Sequence, residues 1–214
     1  MSTIIKIEHL HAGYEGKEVL SDINLTVTSD DYLGIIGPNG GGKTTLIRLI
    51  LGLMKPTSGT IRFFKEEKSK GETRQDKEEK GETRQDKEEK GETNEDKHLK
   101  EVKEISMGYL PQYNALDKQF PISVYEVVLS GLNKSKKLFA RYTKAQHQQV
   151  LDTLERMQLT DLKDRHIGAL SGGQLQRVLL ARSIVAKPDV VILDEPNTYI
   201  DRRFQKQMYE MLEQ

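Results

Sequence analysis

Between Gly37 and Thr45 the chain reads Gly-Pro-Asn-Gly-Gly-Gly-Lys-Thr-Thr. Those residue types in that order suit the holding of a polyanion. Consecutive backbone N–H groups converge on an anion only where no side chain blocks them, which accounts for Gly37, Gly40, Gly41 and Gly42. Lys43 adds a full positive charge for the β- and γ-phosphates of a nucleotide, and Thr44 offers a hydroxyl to Mg2+. Pro38, Asn39 and Thr45 complete the candidate nucleotide-holding segment. A second set stands far downstream, where Val190, Val191, Ile192 and Leu193 run into Asp194 and Glu195. A carboxylate at a strand end can hold Mg2+, directly or through water, and this falls to Asp194. Glu195, one residue on, can polarise a water for in-line attack on a γ-phosphate.

A third set is Ser171, Gly172, Gly173 and Gln174, within Leu-Ser-Gly-Gly-Gln-Leu-Gln-Arg. Ser171 and Gln174 have capping-box spacing, the two glycines leave their amides bare, and Leu175, Val178, Leu179 and Ile184 follow with helical periodicity. This is a helix N-terminus able to meet an anion. A merely well-capped helix fits the same local physics equally well.

The elements that must position these groups alternate between strand and helix. Residues 4–10 and 23–28 alternate like strands, and residues 32–37, Tyr-Leu-Gly-Ile-Ile-Gly, read as a short buried strand running into the glycine turn. A helix is expected from about Lys43 through Leu51. Residues 105–110 read as another strand. Helices capped by Ser123 with Glu126 and by Thr143 with Gln146 follow, and Val150, Leu151, Leu154 and Met157 share one face of the second. Residues 190–193 form a last apolar strand. Such units imply an α/β domain with a parallel sheet.

Residues 70–99 stand apart. Lys-Gly-Glu-Thr-Arg-Gln-Asp-Lys-Glu-Glu occurs at 70–79, again unchanged at 80–89, and in degraded form from 90. A ten-residue period is neither heptad nor eleven-residue repeat, and a copy without apolar side chains buries no face. The segment 66–100 is therefore a charged insertion, expected to contribute nothing to the core. The whole chain balances 33 basic against 33 acidic residues, so no net field draws nucleic acid or an anionic membrane. It contains no cysteine, hence no disulfide framework and no thiolate metal site. The N-terminus lacks the pattern of a secretory signal, and no apolar run is long enough to cross a bilayer.

The order of these motifs resembles that of the ABC transporter ATPases: a phosphate loop, then Leu-Ser-Gly-Gly-Gln with Gln-Arg, then Val-Val-Ile-Leu-Asp-Glu-Pro. The likeness spans nearly the whole chain outside the insertion. It implies a P-loop NTPase fold with a RecA-like core, an N-terminal antiparallel β region and a helical subdomain at 116–168, all within one domain over 1–214. It implies that Tyr14 stacks on adenine, that Gln112 in Gly-Tyr-Leu-Pro-Gln senses Mg2+ and the attacking water, and that Asp201 closes a loop across a dimer. It makes Ser171, Gly172, Gly173 and Gln174 a phosphate grip for the ATP of a second copy. Tyr199 stands where the family commonly has a small residue. The family also carries a switch histidine after a later strand, whereas His9, His11, His98, His147 and His166 all precede Asp194. The sequence accordingly reads as truncated at its C-terminus.

Residues 113–132, with Asp117, then Phe120-Pro121 and Ser123-Val124, resemble the zinc and manganese importers within this family. The resemblance implies ATP and Mg2+ as cofactors and a homodimer or paired ATPase subunit. It further implies a membrane permease at the cytoplasmic face, a metal-binding extracytoplasmic protein, and no nucleic acid. Haem and siderophore-iron importers share related segments and are the alternative. A soluble ABC ATPase acting on DNA or ribosomes is the second. Chromosome-type members carry a coiled coil after the glutamine loop and translation-type members usually two ATPase units, and this chain shows neither.

Overall fold

The computed structural model describes residues 1–66, 99–111, 120–133 and 140–194. They fall into two compact units, one within Met1–Ile105 and one within Ser106–Gln214.

The first unit is built on a four-stranded sheet in the order β2-β1-β3-β4, with β1 Thr3–Tyr14, β2 Lys17–Thr28, β3 Ser58–Glu66 and β4 Leu99–Val102. All its pairings are antiparallel. β1 and β2 join through a two-residue turn in which Glu15 and Gly16 both have positive φ, the geometry that matches strand twist in tight hairpins. Period-two alternation buries Ile5 and Ile7, and past a bulge Leu10 and Ala12. Helix α1, Lys43–Ile50, adds Leu46, Ile47, Leu49 and Ile50 to the apolar core and packs on β2.

β3 and β4 pair antiparallel, with Glu66 opposite Leu99. The charged insertion therefore joins two neighbouring strand residues, and its residues 67–98 lie outside the described residues. Deleting residues 70–89, both full repeat copies, is expected to leave the sheet intact. Closing a flexible loop depends only logarithmically on its length, so the change amounts to about 1 kcal/mol or less, in the stabilising direction. Thermal unfolding and ATP turnover of the shortened protein check this. A large loss in either would show that the repeats are structural.

The second unit pairs β5, Met107–Leu110, in parallel with β6, Val190–Leu193. Around α4, Gly172–Ile184, gather α2, Val124–Ser130, and α3, Lys144–Arg156, with short 3-10 turns at Thr160–Leu162 and Ile167–Ala169. α4 is the central helix: Leu175, Val178, Leu179, Leu180 and Ala181 are all buried. They meet Val124, Val127 and Val128 of α2 and Val150 and Leu154 of α3 in one core. β5 approaches closely enough that a Cβ on Gly108 would lie 2.2 Å from the Ser183 carbonyl oxygen, so only glycine fits there. Ser123–Glu126 and Thr143–Gln146 form the capping boxes expected of them. Each is worth about 1 kcal/mol. The Ser123 backbone N–H and hydroxyl both donate to Glu126, holding its carboxyl below the usual range.

Two expectations fail. Residues 32–37 form no strand, and Tyr32, Leu33, Ile35 and Ile36 are exposed. A buried strand exists only where neighbours take up its backbone groups, and no strand among the described residues pairs with this one. On α3, Leu151 faces solvent at 39% exposure while Val150, Leu154 and Met157 are buried. The expected apolar face was one residue too wide.

Candidate nucleotide site

In the first unit, Tyr14 at the end of β1 and the glycine loop both adjoin α1. Gly40 and Gly42 have φ of +81° and +83°, a conformation that disfavours any side chain. Gly42 is also the N-cap of α1, and a Cβ there would lie 2.6 Å from Leu20 Cδ2, so β2 and the helix start are in contact through it. At Gly37 and Gly40 a Cβ would meet nothing within 4 Å, which leaves open space beside bare amides. The Lys43 ammonium donates to the carbonyl oxygens of Gly37 and Pro38, both at 2.9 Å, so its charge lies inside the loop. An open glycine turn, a helix N-terminus and an inward ammonium fit a polyphosphate. Thr44 is exposed in the first turn of α1, and Thr45 is buried.

Tyr14 ends β1 just before the hairpin turn and is 44% exposed. Its phenol is held below the usual tyrosine range, first by a hydrogen bond with Thr45 and then by Arg48, whose Nη1 donates to it at 3.4 Å. Arg48 had drawn no attention in the sequence. Its signal was there: one charge inside Leu46-Ile47-Arg48-Leu49-Ile50, where every other residue is buried.

In the second unit, Ser171 caps α4 as its spacing predicts. Its hydroxyl accepts from the Gln174 N–H at 3.3 Å, while Gln174 Oε1 accepts from the Ser171 N–H at 3.0 Å. Gln174 is thereby committed to the cap, and Ser171 stands exposed with Gly172 and Gly173 following. Asp194 directly follows β6, and its N–H donates to the Leu110 carbonyl at 3.0 Å, extending the β5–β6 pairing to the strand ends. Gln112, Glu195 and Asp201 lie outside the described residues. No group of three or more His, Asp or Glu side chains that could hold a metal ion occurs among the described residues. None of the described helices is long and apolar enough to cross a membrane.

An open glycine loop with an inward ammonium at one helix start and a capped glycine turn at another suit a nucleotide-binding ATPase. Residues 20–198 match the family model for the ABC transporter, and the chain belongs to that family. It is an ATP-binding ATPase subunit of the ABC type. Over 200 residues it is 35% identical to a probable metal transport system ATP-binding protein of Chlamydia trachomatis, covering 94% of this chain and 71% of that one. Over 213 residues it is 34% identical to the zinc uptake system ATP-binding protein ZurA of Listeria monocytogenes, covering 99% and 71%. Among solved structures, an inward-facing ABC transporter described as of metal-chelate type superposes with a TM-score of 0.72 at 26% identity, covering 99% of this chain and 67% of that one. The likeness carries the α/β P-loop fold expected from the motifs.

Proposed function

We propose that the chain is the energising subunit of a divalent-metal importer, with zinc or manganese as cargo carried by a separate membrane permease. The observation that carries this is the 34–35% identity to proteins named for metal transport and zinc uptake. Phe120-Pro121-Ile122-Ser123-Val124, which leads into the capped start of α2, agrees with it.

In this proposal Tyr14 supports the adenine, while the amides of Gly37, Pro38, Asn39, Gly40, Gly41 and Gly42 and the Lys43 ammonium bind the phosphates, with Thr44 and Thr45 at the helix start. Mg2+, when bound, would neutralise charge on the phosphate oxygens, and Thr44, Asp194 and Gln112 are the residues that would hold it. Glu195 accepts the proton of the attacking water. Ser171, Gly172, Gly173 and Gln174 of a second copy close over the γ-phosphate, and Asp201 contributes to that interface. Two protomers related by a two-fold axis then share two sites. Closing on ATP and opening after hydrolysis provide the stroke that a permease at the cytoplasmic membrane face converts into transport. A metal-binding extracytoplasmic protein delivers the cargo.

Deleting the gene is expected to cause a growth defect in chelated medium that zinc or manganese reverses. Rescue by haem or a siderophore alone would move the cargo to an iron chelate, the alternative that the metal-chelate type of the structural neighbour favours.

A further inference from the structure

Tyr14 ends β1 just before the hairpin turn, and its hydroxyl meets α1 where Arg48 Nη1 donates to it at 3.4 Å. The same helix begins at Lys43.

We infer that Arg48 is a positioning residue for the nucleotide, acting through the Tyr14 hydroxyl to hold the ring as a fixed platform for the base. A tyrosine at the end of a two-residue turn, 44% exposed, has two side-chain torsions to order before it can present one face to a ligand. A tether at the far end of the ring orders it before the ligand arrives, and preorganisation of this kind raises affinity. Because the tether and Lys43 stand on one rigid helix, the platform is also set at a fixed distance from the phosphate loop. Arg48 lies in the last turn of α1, where any cation favours the helix dipole. That bland role would alter stability without discriminating between ligands that have a base and ligands that lack one.

The inference rests on the proposal that Tyr14 stacks on adenine, and the test separates the two. The affinities of the full chain for Mg-ATP and for inorganic tripolyphosphate are measured for Arg48→Ala, Tyr14→Phe, the double variant and Tyr14→Ala. Tyr14→Ala is expected to weaken ATP about tenfold, the scale of a lost base–aromatic stack. Arg48→Ala and Tyr14→Phe should each weaken ATP about three- to fivefold and leave tripolyphosphate unchanged. The double variant should lose no more than either alone, since both changes cut one contact. Should Arg48→Ala fail to fold, Tyr14→Phe carries the same expectation alone. Unchanged ATP affinity in Tyr14→Ala would overturn the adenine platform and the inference with it. A tenfold loss in Tyr14→Ala with none in Tyr14→Phe would overturn the inference alone. So would an Arg48→Ala loss shared equally by tripolyphosphate, or losses that add in the double variant.

Discussion

Replacing Lys43 with alanine is expected to remove Mg-ATP binding, lowering affinity by roughly 100-fold or more. The ammonium already lies within the loop, donating to Gly37 and Pro38. ATP exchanges those neutral carbonyl acceptors for charged phosphate oxygens. Hydrogen bonds to charged groups contribute about 1.5–3 kcal/mol each, and two of them set the size of the loss. The amides and the helix N-terminus remain in the variant, so weak anion binding persists. Lys43 is only half-buried and outside the apolar core, so unfolding of the ligand-free protein should barely change. Titration with Mg-ATP, paired with thermal unfolding, checks both statements. Affinity that survives the substitution would remove the loop from nucleotide binding.

Replacing Ser171 with arginine is expected to spare ATP binding and to lower hydrolysis by roughly two orders of magnitude, the scale of losing a preorganised donor at developing charge. Ser171 is exposed and supplies the N-cap of α4, so the substitution costs about 1 kcal/mol of helix stability and leaves the core untouched. The main effect is steric: a long side chain fills the space in front of Gly172 and Gly173, where the partner's phosphate is proposed to sit. Binding by a protomer's own Lys43 loop does not involve this turn. ATP affinity near that of the parent with turnover lost is therefore the expected pair of results. Normal turnover would contradict it.

Much of this was legible because it is local. The three capping boxes are four-residue patterns, and each forms as its spacing predicts. The glycine loop announces itself because bare amides next to a lysine serve few other ends. Residues 32–37 misled because apolarity makes a buried strand only where another strand pairs with it, and none among the described residues does. The β3–β4 hairpin stayed hidden because the charged insertion separates two halves that pair directly, Glu66 with Leu99. Ile61 and Phe63, alternating in β3 opposite Ile7 and Ile5, were the clue. Arg48 was missed because a charge in an apolar helix says nothing of the turn that brings Tyr14 beside it.

The most direct test of a site shared between two copies mixes two inactive variants. Lys43→Ala protomers lack a phosphate grip, and Ser171→Arg protomers lack the closing turn. Paired, they form one intact composite site and one doubly broken site. With differently tagged variants and a crosslinker, Mg-ATP should yield mixed dimers while neither variant alone yields a dimer. Closed homodimers of Ser171→Arg formed on ATP would contradict the sharing of the site.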